Sequence, residues 1–319
     1  MLVDVPGITL GHSCLGDTGV TVVVGPRHGM TAGVDVRGGG PGTRETDLLA
    51  PHNTVDRIHA ITLAGGSAFG LAAADGVMGE LERAGHGFPV LGEGVPGPRV
   101  PIVPGAVIFD LFVGDPGHRP TAEDGAAATR AALAGTDAGE MRASGSIGAG
   151  TAATAGVLRG GYGQASIRVG EYVVAAGVVA NPVGDVIDPL TGRFHGDPTL
   201  PPVDPVLLRA LARPEARLNT TIGVVATDAP VTSAQATRLA MVGHDGIARA
   251  VRPAHSPLDG DTLFAVSTHP EAGGVDIPTL AELCRAAAEV VAAAIVDAVV
   301  HAAPGHDLGT YRELLADTH

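Results

Sequence analysis

From Gly145 to Asn181 the chain reads GSIGAGTAATAGVLRGGYGQASIRVGEYVVAAGVVAN, a run in which glycine and other small residues alternate with β-branched ones. Glycine inside a strand marks a place where another backbone comes close, so this run predicts closely approached central strands. The rest of the chain agrees with that demand. Aromatic residues make up only 3% of the 319 residues while apolar residues make up 45%. A core for this length, which is enough for one large domain or two ordinary ones, must therefore be built from Ala, Val, Leu and Ile. Small residues of that kind suit stacked layers better than a loose bundle.

The other elements follow from periodicity and turn signals. VTVVV (Val20–Val24) and AITLAGG (Ala60–Gly66) read as strands closed by glycine turns. Ser67 is positioned to cap the helix after it, and AVIFDLFV (Ala106–Val113) is another strand. TAEDGAAATRAALAG is a short helix capped by Thr121. Between Asp185 and Leu218 six prolines (189, 198, 201, 202, 205 and 214) predict a loop with one short helix around Val206–Ala212. Beyond it come the strand TTIGVVATD, a helix with a Thr232…Gln235 capping box, the strand DTLFAVST (Asp261–Thr268) and a long helix with a Thr279…Glu282 box. Strands and helices mix without a strict βαβ beat, which predicts a layered α/β fold. The last hundred residues hold too few strands for a sheet of their own, so residues 1–319 are read as one domain with a long excursion before Asn219.

Charge narrows the chemistry. A net charge of −14 argues against nucleic acid as a partner, since phosphate binding needs a basic footprint. All twenty basic residues are arginine, so no lysine side chain can act as an amine. Only the α-amino group of Met1, or one made by internal cleavage, could do so. Cys14 and Cys284 are too few for a disulfide framework or a zinc site, and the thirteen histidines form no H-E-x-x-H pattern. The first twenty residues lack the basic start and apolar core of a signal peptide. Leu280 to Ala303 carries Glu282, Arg285, Glu289 and Asp297, which suits a buried helix and not a membrane span. The expectation is a cytoplasmic protein, in which the sequon Asn219-Thr220-Thr221 meets no glycosylation enzyme.

The candidate chemistry centres on that triplet. Thr220 follows a loop and opens an apolar strand. Its hydroxyl could attack the Asn219 carbonyl, and hydrolysis of the ester would leave Thr220 as a new N-terminus. The freed amine, with an ordinary pKa near 7.7–8.0, could serve as base for its own hydroxyl. The commoner use of Asn-Thr is simply to lead into a strand, and Asn53-Thr54 shows a second such step, read as a turn or cap. In HSPLDGDTLF, Asp259 and Asp261 share a face if extended and could meet one ammonium or hydroxyl, or else be solvated acids of a turn. Asn181, held extended by Pro182, could donate to an oxyanion or merely form a turn. VRGGGPGTRETDLL and LAGGSAFG are read as tight turns, since neither has the lysine of a phosphate-binding loop.

Taken in order, DVRGGGPGTRETDLL, LAGGSAFGLAAADGV, GSIGAGTAATAG…RGGYGQAS, VVANPVGD, LNTTIGVVATDA and HSPLDGDTLF resemble the P1 family of self-processing peptidases and amidases, the DmpA type, and within it the nylon-oligomer hydrolase branch. The resemblance implies an αββα sandwich of the DmpA/ornithine-acetyltransferase-like type. It implies one cut at Asn219/Thr220, giving an α chain 1–219 and a β chain 220–319, with Thr220 as nucleophile. Asn181 then falls at the oxyanion, and Asp259 and Asp261 match the acid pair of the nylon-hydrolase branch. Substrates would be linear amides: peptides, amino-acid amides or nylon-type oligomers. No metal or organic cofactor, nucleic acid or membrane is implied, and the assembly would be a homo-oligomer of αβ units, a tetramer. Two departures stand out. The family's Lys-Gly-Gly is Arg159-Gly160-Gly161, which can supply charge but no base. The family's active-site tyrosine has no assigned match, Tyr162 and Tyr172 being the nearby candidates. An acyltransferase of similar fold, or a binding protein that keeps the scaffold without catalysis, are the alternatives.

Overall fold

The computed structural model describes residues 1–135, 138–212 and 218–317. Its first half runs β1 (Thr9–Cys14), β2 (Gly19–Val24), β3 (Thr31–Val36), β4 (Thr43–Arg44), β5 (Ala60–Ala64), α1 (Ala73–Arg83), β6 (Gly105–Val107) and α2 (Ala122–Ala134). The second half adds β7 (Gly161–Val169), β8 (Tyr172–Ala180), α3 (Pro205–Ala210), β9 (Ile222–Thr227), α4 (Ser233–Ala250), β10 (Thr262–Ser267) and α5 (Ile277–Val300). One sheet has the order β1-β2-β5-β6-β4 and the other β7-β8-β9-β10-β3. Each has one parallel pair, β5 with β6 and β9 with β10.

Successive side chains of a strand point to opposite faces, and here both faces are apolar. Val20, Val22 and Val24 of β2 pack with Val77 and Leu81 of α1 and Ala128 and Ala132 of α2, whereas Val23 faces the other way. In β9 the same split recurs. Val225 joins Leu239 and Ile247 of α4 and Val291 and Ile295 of α5, while Ile222, Val224 and Ala226 turn towards the first sheet. The two sheets thus sit face to face, with helices on both outer surfaces. This is the αββα sandwich. Its middle core joins Leu10, Ile61 and Leu63 to Val179, Ile222 and Phe264, so residues on both sides of the Asn219–Thr220 step share one core.

Two glycines set the spacing between layers. A Cβ on Gly11 of β1 would lie 1.9 Å from the Ala128 carbonyl oxygen of α2, and one on Gly163 of β7 would lie 2.1 Å from that of Ala294 in α5. The small-residue run was expected to form central strands, but β7 lies at the edge of its sheet and only β8 is interior. Its Gly163 serves the approach of a helix, whereas Gly161 and Gly160 make room first for the Gly145 backbone and for the Ala180 carbonyl at the end of β8.

Local signals held in part. Thr232 and Gln235 form their capping box, and Thr121 caps α2 reciprocally with Asp124. Asp276, not Thr279, caps α5: its Oδ1 accepts the Thr279 N–H at 2.9 Å, which leaves Pro278 in the first turn where its missing N–H costs nothing. Ser67 makes no side-chain cap; it opens a 3₁₀ turn, Ser67–Ala72, at φ +53°. The strand expected over Ala106–Val113 stops at Val107. The helix of the proline-rich excursion is capped by Asp204, while Pro214 and Arg217 lie outside the described residues. No helix among the described residues is long and apolar enough to cross a membrane.

Gly163→Ala should lower stability by about 1–3 kcal/mol through overpacking against α5, read as a lower urea midpoint at unchanged slope. A midpoint equal to that of the parent would show that the contact can relax at no cost.

Candidate active site

Sheet register brings distant segments to one place. Ile222 at the start of β9 pairs with Val179 near the end of β8 and with Thr262 at the start of β10, which in turn pairs with Val36 at the end of β3. The residues just beyond those strand ends must therefore meet. They are Asn181, the Asn219–Thr221 triplet, the Asp259–Asp261 loop and Arg37–Gly40.

Thr220 is 4% exposed. Its N–H donates to the Asn181 carbonyl at 2.8 Å, and its hydroxyl donates to the carbonyl oxygen of Asn219. The Asn219 side chain donates to the Pro182 carbonyl at 2.9 Å and to Thr154 Oγ1 at 3.2 Å. Asn181 is wholly buried. Its Oδ1 accepts the Thr154 N–H at 2.8 Å and its Nδ2 donates to the Phe109 carbonyl at 3.1 Å, which fixes the amide and leaves one N–H uncommitted.

Among the described residues the two acids hydrogen bond to segments beside Thr220 and not to Thr220 itself. Asp259 accepts from the Val183 N–H at 3.0 Å and the Ser256 hydroxyl at 2.6 Å. Asp261 accepts from the Thr221 N–H at 2.8 Å through Oδ1, and its Oδ2 meets His255 Nδ1 at 2.7 Å. Burial, reinforced by the nearby Asp261, pushes the Asp259 carboxyl above its ordinary value. Gly260 lies between them, and a Cβ there would stand 2.8 Å from Thr220 Oγ1. The segment read as a tight turn at Arg37–Gly40 is instead laid along this loop. Its Arg37 and Gly40 N–H groups donate to the Asp261 and Asp259 carbonyls at 2.9 and 2.8 Å. A Cβ on Gly38 would come within 2.3 Å of the Asp259 oxygen. By contrast Asn53 lies in a turn, as expected, donating to the Asp47 carbonyl.

A cavity of about 720 Å³ opens beside Asn219, lined by Phe109, Asp110, Phe112, Val113, Thr154 and the turn His306–Leu308. Asp110 escaped sequence reasoning because it was placed inside a strand. The signal available was an acid in the middle of the apolar run AVIFDLFV. It accepts the Gly66 N–H at 2.6 Å and the Thr18 hydroxyl at 2.8 Å, and burial pushes its carboxyl up to about 6.

Arg159 is buried and stands opposite Thr154 in a short hairpin. Its Nη2 donates to Ser146 Oγ and the Thr151 carbonyl, while Nε and Nη1 find no partner among the described residues. Burial lowers its pKa. Neither tyrosine candidate reaches Thr220. Tyr162 is sealed between the sheets against His12, and Tyr172 sits at the β7–β8 turn. The aromatic residue on the cavity wall beside Asn181 is Phe109. Among the described residues no group of three or more His, Cys, Asp or Glu is arranged to hold a metal ion.

The model of peptidase family S58 matches residues 1–309. An uncharacterized aminopeptidase of Mycobacterium leprae (strain TN) is 46% identical over 97% of this chain and 92% of its own. The 6-aminohexanoate-oligomer endohydrolase of Paenarthrobacter ureafaciens is 33% identical over 92% of this chain and 80% of its own. Among solved structures, a β-aminopeptidase from a Burkholderia species matches with a TM-score of 0.75 at 24% identity, covering 99% of this chain and 93% of that one. That likeness concerns the fold and agrees with the four layers described above.

Asp110 makes a pH prediction. Its folded pKa of about 6 lies above the ordinary 3.8, so between these values the folded state binds more protons and stability falls as pH rises. The full effect, present above pH 6, is at most about 3 kcal/mol. Asp110→Asn keeps an acceptor for Gly66 and a partner for Thr18. It should be more stable than the parent at pH 7 and lose that advantage towards pH 4 in urea titrations. A constant difference across that range would contradict a buried, raised Asp110.

Proposed function

The chain belongs to peptidase family S58, and from that premise we propose that it is an amide hydrolase whose nucleophile is Thr220, freed by its own cleavage before that residue. The observation that carries the proposal is the buried Thr220 hydroxyl resting on the Asn219 carbonyl group, beside a cavity that opens at Asn219. In the maturation step Thr220 Oγ adds to the Asn219 carbonyl carbon. The C–N bond breaks with the nitrogen taking up the proton, and water cleaves the resulting ester to a carboxylate and a hydroxyl. Products are an α chain of residues 1–219 and a β chain of 220–319.

The new amine stays where the Asn181 carbonyl already holds its nitrogen, at 2.8 Å. Deprotonated, with an ordinary pKa near 7.7–8.0, it accepts the Thr220 hydroxyl proton as Oγ attacks a substrate amide. The uncommitted N–H of Asn181 faces the role of oxyanion donor. The departing amine takes the proton, and water releases the acyl group from Thr220. Asp261 keeps the strand start in register through Thr221, and Asp259 fixes the Val183 backbone beyond Asn181. No cofactor enters any step.

The cavity supports a substrate class. Its described lining offers apolar surface from Phe109, Phe112, Val113 and Leu308, two acids, Asp110 and Asp307, against one histidine, His306, and no arginine. That combination favours a linear amide bearing a free ammonium, such as a short peptide or amino-acid amide, over a carboxylate-ended one. Nylon-type oligomers with an amino end fit the same description. A tetramer of αβ units in the cytoplasm completes the proposal.

A denaturing gel tests the maturation step. The parent should give fragments of about 22 and 10 kDa, the shares of 31.8 kDa in residues 1–219 and 220–319. Thr220→Ala should remain a single band and lose at least about 10³-fold in turnover of amino-acid amides, while Thr220→Ser should mature. Full maturation and activity in Thr220→Ala would remove Thr220 from the mechanism. Addition of a competing amine separates hydrolysis from acyl transfer by the product formed.

A further inference from the structure

His255 stands at φ +56°, a left-handed conformation that costs a residue with a Cβ of this size on the order of 1–2 kcal/mol. Strain of that kind persists only where the surroundings hold it. Both its backbone N–H, at 3.1 Å, and its ring Nδ1, at 2.7 Å, reach the same atom, Asp261 Oδ2. The other carboxylate oxygen, Oδ1, accepts the N–H of Thr221 at 2.8 Å. Asp261 is 1% exposed, so no solvent competes for these positions. Below the His255 ring lies His244, edge to face at 4.9 Å between centroids. Burial pulls the His244 pKa down to about 4, which keeps that ring neutral, and its Nε2 donates to the Asp35 carbonyl at 3.0 Å.

We infer that His255 is a positioning residue for the reaction, holding Asp261 in the one rotation that fixes Thr221 and thereby the reacting atoms of Thr220. The inference rests on the proposed role of Thr220. A carboxylate turns easily about its terminal torsion. Without the ring, Oδ2 keeps only the longer bond from the backbone N–H of residue 255, so Asp261 is freer to turn and to release the Thr221 N–H at the strand start. A shift of a fraction of an ångström at a nucleophile lowers rate far more than it lowers stability. The left-handed backbone is what aims N–H and Nδ1 at one oxygen together, so the strain has a use.

Two substitutions separate the side chain from the backbone. Asparagine tolerates the left-handed region and carries an N–H donor near the place of Nδ1. Glycine relieves the strain but has no side-chain donor. The measurements are kcat and KM on an amino-acid amide with the matured protein, the melting temperature, and the rate at which the two fragments appear. His255→Gly should keep its melting temperature within a few degrees of the parent and leave KM little changed, yet lower kcat about 10- to 100-fold. His255→Asn should recover most of that loss. A variant that matures too slowly to isolate is judged on fragment appearance, where the same order is expected. Equal kcat in His255→Gly and the parent overturns the inference, as does a His255→Asn no better than His255→Gly. A parent that neither splits nor turns over amides refutes the Thr220 reading instead.

Discussion

A polar step buried at the mouth of an apolar strand has to be hydrogen bonded on every side, because an unpaired buried donor or acceptor costs about 1–3 kcal/mol. Most of what lies around Asn219–Thr220 follows from that requirement. The strand it opens is core on both faces, so water cannot supply the missing partners. They come instead from Asn181 and Pro182 on one side, from Leu258 on the other, with Asp261 holding the next residue, Thr221, and from Thr154 above. Each of these sits just outside a strand or in a hairpin, where backbone groups are not already used by the ladder.

Meeting that requirement limits side-chain size. Three backbones converge at Gly38, Gly260 and Thr220, and a methyl group at either glycine would clash with a backbone oxygen, at 2.3 and 2.6 Å. The same limit governs the outer layers at Gly11 and Gly163. A chain poor in aromatics can thus stack four layers closely, and the apolar area removed from water, worth about 25 cal/mol per Å², comes from many Val, Ala and Leu side chains rather than a few large rings. The glycine content is one adaptation acting at two places, in the core and at the site.

Much of this was legible beforehand. Layering, the strand at β9, the Thr121 cap of α2, the capping box of α4 and the cluster of Asn181, Asn219, Thr220, Asp259 and Asp261 follow from pattern and from family resemblance. What the sequence hid was tertiary. The glycines of Val36–Gly42 carry no mark saying that they lie along another loop and not in a turn of their own. Asp110 looked like a polar interruption of a strand because the turn that ends the strand has no Gly or Pro before Gly114. His255 has no signal beyond its neighbours, since a left-handed histidine and an ordinary one are spelled alike. Tyr162, by its place in RGGYGQ, looked close to the chemistry; strand alternation instead turns it into the middle core.

The distribution of charge gives the proposed mechanism its logic. Asp259, Asp261 and Asp110 are all buried near Thr220 or the cavity beside it, while the buried Arg159 has two nitrogens without a partner among the described residues and no place on the cavity wall. Guanidinium is always charged and cannot take a proton at neutral pH, so it cannot serve as base. Burial raises Asp259 and Asp110, yet both already accept hydrogen bonds that a proton shuttle would have to break. With lysine absent, a base of pKa near neutrality at Thr220 Oγ has one economical source, an α-amine on the same residue. That amine exists only if the Asn219–Thr220 bond is cut. Cleavage and catalysis then become two uses of one geometry, in which the carbonyl of Asn181 holds the nitrogen both before and after it is freed.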